Sequence, residues 1–116
     1  MIIKSIKSFR FAFRGIKAVF ISENNAKIHL AASIIIVSAG IFFHLDLSEW
    51  LWIALSISLV WITEAINTAI EKIVNVVSPS YNKTAGEIKD IAAGAVLLAA
   101  IFASVTGACI FIPKIF

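Results

Sequence analysis

Three long apolar stretches, separated by short polar breaks, occupy most of this chain, and a fourth stretch at the N-terminus follows a different rhythm. Ile28 to His44 carries no charged residue, Trp50 to Thr63 runs uncharged into Glu64, and Ile91 to Ile112 is uncharged over about 33 Å of helix. A hydrocarbon core about 30 Å thick is crossed by roughly this much apolar helix. The pattern predicts three spans, carried on helices over 28–44, 50–77 and 86–112. Over 1–22 the apolar residues instead fall on one helical stripe, Ile2, Ile6, Phe9, Phe13, Ile16 and Phe20, with Lys4, Lys7, Arg10, Arg14 and Lys17 on its flank. Phe11 is the exception to the stripe. A basic amphipathic helix of this kind lies in the membrane surface, its apolar face in the lipid.

Local punctuation divides these stretches. The polar cluster Ser22-Glu23-Asn24-Asn25 predicts a turn ahead of the first span. Pro79 predicts the end of the second helix at Val77-Ser78, and Thr84-Ala-Gly-Glu87 reads as a capping box opening the third. Ala95, Ala99, Ala103 and Gly107 recur every four residues, a small-residue stripe for close helix packing. Six basic residues precede the first span, and Lys72, Lys83 and Lys89 surround the second connection, whereas the first connection, Leu45 to Glu49, has none. By the bias of Lys and Arg toward the cytoplasm, the N-terminus and the second connection lie inside and the first connection outside, with Lys114 at the outer end of the third span.

Composition turns this pattern into a class. Of 116 residues 60% are hydrophobic and 15% charged, which predicts an all-α integral-membrane protein, a single membrane domain over 1–116. The net charge of +3 is accounted for by the surface helix, so no nucleic-acid partner is expected. The single Cys109 excludes an internal disulfide and a thiolate metal cluster. There is no phosphate-binding Gly-rich loop of the soluble nucleotide-binding folds, and no serine nucleophile with a plausible histidine and acid beside it. His29 and His44, at opposite ends of the first span, read as inner and outer interface residues.

Against this background the acids of the second helix stand out. Glu64, Asn67 and Glu71 fall within about 60° of one helix face, with Thr68 and Asn75 extending the stripe. A carboxylate in a span costs about 2.5–3.5 kcal/mol at mid-bilayer and is read as functional, with a cation as partner. Counting from Trp50 at the outer interface, Glu64 lies about 21 Å inward, at the depth of a lipid hydroxyl, and Glu71 about 10 Å further. Glu23 reaches a depth similar to that of Glu71. The alternatives are structural: Glu64 paired with Lys89 or a backbone group, Glu71 at a solvated helix end, Lys89 and Asp90 as a membrane-edge anchor and a helix N-terminal charge.

Glu23-Asn24-Asn25-Ala-Lys27-Ile-His29, Glu64-Ala-Ile-Asn67-Thr-Ala-Ile-Glu71, Val77-Ser-Pro79 and Lys89-Asp90-Ile-Ala-Ala-Gly-Ala-Val together resemble the prokaryotic diacylglycerol kinase family over nearly the whole chain. That family comprises small membrane lipid kinases, undecaprenol kinases among them, with a surface helix, three spans and a trimer whose active sites form between subunits. The resemblance implies that Glu64 matches the catalytic base, Glu23 and Glu71 the Mg²⁺-binding carboxylates, and Asn67 and Lys89 the groups contacting ATP phosphates, with Asp90 an acidic active-site residue. It also implies a homotrimer in the bacterial cytoplasmic membrane. Asn75 departs from the family, where an Asp is common. The short N-terminus and the wording around Glu23 and Pro79 are closer to the shorter members, several of which prefer undecaprenol, so the resemblance points to a polyprenol acceptor, with diacylglycerol as the alternative. A non-catalytic membrane oligomer that keeps the fold is the reading from another class.

Overall fold

A computed structural model describes residues 2–22 and 24–116. Four helices follow one another: α1 Ile2–Ser22, α2 Asn24–Phe42, α3 Leu47–Val77 and α4 Lys83–Ile115. The last three are each long and apolar enough to cross a membrane. Of the expected turn Ser22-Glu23-Asn24-Asn25, Glu23 lies outside the described residues, while Ser22 closes α1 and Asn24 and Asn25 already belong to α2.

On α1 the apolar stripe is bare: Ile6, Phe9, Phe13 and Ile16 are all exposed, and the helix touches the rest of the protein near Val19 and Phe20. Phe11, the residue off the stripe, has a use of its own, since the Arg14 guanidinium lies 5.5 Å from its ring centre.

α2, α3 and α4 begin before their apolar runs and α4 also ends beyond its own, because backbone hydrogen bonding continues into polar residues that still favour helix, whereas α2 stops at Phe42, two residues short of the expected His44. At the end of α2 the chain reverses through a Schellman turn. Leu45 N donates to Gly40 O at 3.2 Å and His44 N to Ile41 O at 3.3 Å, with His44 at φ 53° in the left-handed position usually taken by glycine. The next residues open α3. Asp46 accepts from Glu49 N at 2.9 Å while the Glu49 carboxylate accepts from Asp46 N at 3.1 Å, a reciprocal capping box. α3 stops at Val77, as Pro79 predicts, its cap closed by Ser78 N donating to Val74 O.

The cap of α4 differs from expectation. Asn82, not Thr84, accepts from the backbone N–H groups of Thr84 and Ala85, at 2.9 and 3.2 Å, and the helix begins at Lys83. Asparagine caps at least as well as threonine, so the earlier residue takes the donors and Thr84 and Glu87 fall inside the helix.

α3 and α4 pack as an antiparallel pair, with α2 and α1 laid against α3 and against each other. On α4 Ala92 and Ala99 are buried, with Val96 and Ala103 half-buried, while Ala95 is exposed. A strict four-residue repeat drifts about 40° per step around a helix, so packing selects the alternating 4,3,4 repeat and leaves one end of the expected stripe outside. Val96, which belongs to no small-residue stripe, takes the place expected of Ala95. A small apolar core of Leu45, Ile53 and Phe111, with Phe43 and Trp50 packed on it, closes the end of the bundle where α2 meets α3. At the same end Lys114 lies 3.1 Å from Glu49.

Candidate active site

Along the buried face of α3 the chemistry changes with depth. Ile53 and Val60 are apolar, but Ser56, Glu64, Asn67 and Thr68 are polar and equally buried. Their 3,4 spacing places them on the side turned toward the other helices. Glu64 is 1% exposed. Its carboxylate is met by His29 of α2, with Nε2 3.2 Å from Oε2, while Oε1 is buried with no hydrogen-bond partner among the described residues. Burying an unpaired carboxylate is costly, and a single imidazole neighbour offsets part of that. The alternative pairing of Glu64 with Lys89 is not made, and His29 is no mere interface residue.

One turn further, Asn67 donates through Nδ2 to Glu71 Oε1 at 3.3 Å, leaving Asn67 Oδ1 buried and, among the described residues, unpartnered. Thr68 turns inward on itself, its hydroxyl donating to Glu64 O at 2.9 Å. Glu71 is half-buried.

Lys89 and Asp90 lie on the first turns of α4, lining a crevice of about 330 Å³ with Asn75, Pro79 and Tyr81. Lys89 Nζ donates to Asn75 Oδ1 at 2.7 Å. The structure thus forms two groups, Glu64–Asn67–Glu71 with His29, and Lys89–Asp90 with Asn75. Among the described residues no hydrogen bond or ion pair joins them. Glu23 lies outside the described residues.

His29 is the residue that the sequence pattern alone did not single out. It is held by a local frame: the ring meets Trp61 edge-on at 6.3 Å, Trp61 Nε1 donates to Ser33 Oγ at 3.3 Å, and Ser33 Oγ donates to His29 O at 2.7 Å. Phe20 of α1 packs on the other side of Trp61 at 4.5 Å. His29 also lines a crevice of about 170 Å³ between α2, α3 and α4, together with Ser33, Ser56, Val60, Ala103 and Gly107.

The donor set suits a hard divalent cation. The Glu71 carboxylate and the buried Asn67 Oδ1 are both oxygens, and Mg²⁺ takes one or two protein carboxylates and completes its shell with water and phosphate oxygens. Among the described residues no three carboxylate, imidazole or thiol groups cluster.

Three helices long and apolar enough to cross a membrane, the second of them carrying an acid–amide–acid face, define a small multi-pass membrane protein. The model of the prokaryotic diacylglycerol kinase family matches residues 10–111, and the chain belongs to that family of membrane kinases. It is 39% identical over 109 residues to a diacylglycerol kinase of Synechocystis, covering 93% of this chain and 62% of that protein. It is 37% identical to the undecaprenol kinase of Bacillus subtilis, covering 94% of this chain and 89% of the relative, and 30% identical to the diacylglycerol kinase of Escherichia coli K12, covering 87% and 83%. The chain therefore spans less than two thirds of the Synechocystis relative but most of the other two.

Proposed function

We propose that this protein is an ATP- and Mg²⁺-dependent lipid kinase that phosphorylates the hydroxyl of undecaprenol, with diacylglycerol as the alternative acceptor. The observation that carries the reading is Glu64: a carboxylate 1% exposed, on a membrane helix, with one oxygen free of any partner among the described residues. A structural acid would spend both oxygens on hydrogen bonds. A general base needs one lone pair unused and within reach of the proton it takes.

In this reading Glu64 accepts the proton of the lipid hydroxyl as that oxygen attacks the γ-phosphorus. Lys89 offsets phosphate charge, Asn67 and Asp90 orient the nucleotide, and Glu71 with Glu23 would hold Mg²⁺, which supplies charge neutralisation on the phosphates when bound. Phosphoryl transfer asks the protein mainly for positioning and electrostatic stabilisation, and a few fixed polar groups at the bilayer edge meet that demand. The two groups, Glu64–Asn67–Glu71 and Lys89–Asp90, stand apart within one chain, and assembly into a homotrimer with sites shared between subunits would bring such groups together. The polyprenol preference rests on the resemblance to shorter family members.

The test is transfer of labelled γ-phosphate from Mg·ATP to undecaprenol and to diacylglycerol, each offered separately in mixed micelles, with Glu64→Gln as control. Labelling that falls at least about a hundredfold in Glu64→Gln is expected, since positioned general bases contribute about 10²–10⁴. Labelling of neither lipid by folded protein favours the non-catalytic membrane oligomer.

A further inference from the structure

The two oxygens of Glu64 are not equivalent. Oε2 faces His29 Nε2 at 3.2 Å, and Oε1, equally buried, faces no donor among the described residues. We propose that His29 is the positioning residue of the proton-accepting step: by donating from Nε2 to Oε2 it fixes the carboxylate plane and leaves Oε1 as the atom that receives the proton. The inference rests on the reading of Glu64 as base.

Three observations favour this over simple packing. The contact crosses between two helices, so it fixes the depth and rotation of Glu64 relative to α2, which no bond within α3 does. The imidazole is not free to turn away, because Trp61 stands edge-on to it and is itself tied to Ser33 and packed by Phe20. And His29, with its side chain 20% exposed against 1% for Glu64, stands between the buried carboxylate and the crevice it lines with Ser56 and Val60, where an acceptor would approach. Which ring nitrogen carries hydrogen is set by the partner each nitrogen finds, and a carboxylate beside Nε2 selects the Nε2–H form. In the transfer step the hydroxyl proton passes to Oε1 and the alkoxide oxygen forms the new bond to phosphorus as the bond to ADP breaks. His29 keeps its own proton throughout.

The experiment is steady-state kinetics on the full-length protein in micelles, for His29→Ala, His29→Gln, Glu64→Asp and His29→Ala/Glu64→Asp. His29→Ala is expected to lower kcat about ten- to a hundredfold, the worth of one hydrogen bond to a charged group. KM for Mg·ATP should stay within about twofold, because the lost contact acts on the chemical step. His29→Gln, whose Nε2–H can reach the same oxygen, should recover most of kcat. Glu64→Asp withdraws the carboxylate from His29, so adding His29→Ala to it should cost little more, a non-additivity that general damage to the fold does not produce. A wild-type kcat in His29→Ala, a loss confined to KM, a failure of His29→Gln to recover, or fully multiplying losses in the double variant would each overturn the proposal. If Glu64→Gln itself keeps full activity, the reading of Glu64 as base fails first. If Glu64→Gln is inactive while His29→Ala turns over normally, only the positioning role fails.

Discussion

Asn75 accepts from Lys89 Nζ at 2.7 Å through a neutral amide, which steadies the ammonium without cancelling its charge. An aspartate there would hold Lys89 in an ion pair that an incoming polyphosphate must break. Exposed pairs of this kind are worth about 0.2–1 kcal/mol, so Asn75→Asp is expected to raise KM for Mg·ATP by about two- to fivefold, with kcat little changed, in a nucleotide titration at saturating lipid. Glu64, Asn67 and Glu71 were legible in the chain because a 3,4 spacing on one helix fixes their common face before any packing is known. His29 was not, since its partner lies on another helix and the pairing depends on the rotation of α2 against α3, which the near-uniform apolarity of α2 does not encode. Glu23 stays a sequence expectation.

Between elements, α2 and α3 meet tightly at Gly40. A Cβ there would meet Trp50 Cη2 at 2.6 Å and Leu45 Cδ1 at 3.0 Å. Gly40 also supplies the carbonyl that closes the Schellman turn at Leu45. Gly40→Ala should therefore destabilise the fold by about 1–3 kcal/mol, the cost of overpacking a fitted contact, seen as a lower midpoint of thermal unfolding in detergent. Its kcat below that midpoint should match wild type, because the contact at Trp50 lies about 21 Å along α3 from Glu64. The number and order of helices could be read from the apolar runs. The end of α3 could be read as well, from Pro79, but the starts of α3 and α4 could not, because Asp46 with Glu49 and Asn82 cap in polar segments where several residues compete for the same backbone donors.

At the scale of the whole molecule, the chain turns twice between its three long apolar helices. The α2–α3 turn and the C-terminal end of α4 lie together, joined by Lys114 and Glu49, and the α3–α4 turn lies at the other end. The Lys and Arg bias predicts a cytoplasmic second turn, and that expectation has a direct test. In a Cys109→Ser background, a membrane-impermeant maleimide added to intact cells should label Ser48→Cys and spare Ser80→Cys, and the preference should reverse in inverted vesicles. Equal labelling from both sides would remove the assigned orientation.

α3 has 31 residues, about 46 Å of continuous helix, well beyond the thickness of the hydrocarbon it crosses. With the orientation that the charge bias predicts, one continuous rod would carry Glu64, Asn67 and Glu71 from within the hydrocarbon toward its cytoplasmic border. On the proposed chemistry, a water-soluble donor and a bilayer-dissolved acceptor can meet there without either changing phase, so no machinery for extracting the lipid is required. Supply of the acceptor then becomes a matter of lateral diffusion and of its mole fraction in the leaflet, and the enzyme reads the composition of the membrane rather than the concentration of the cytosol.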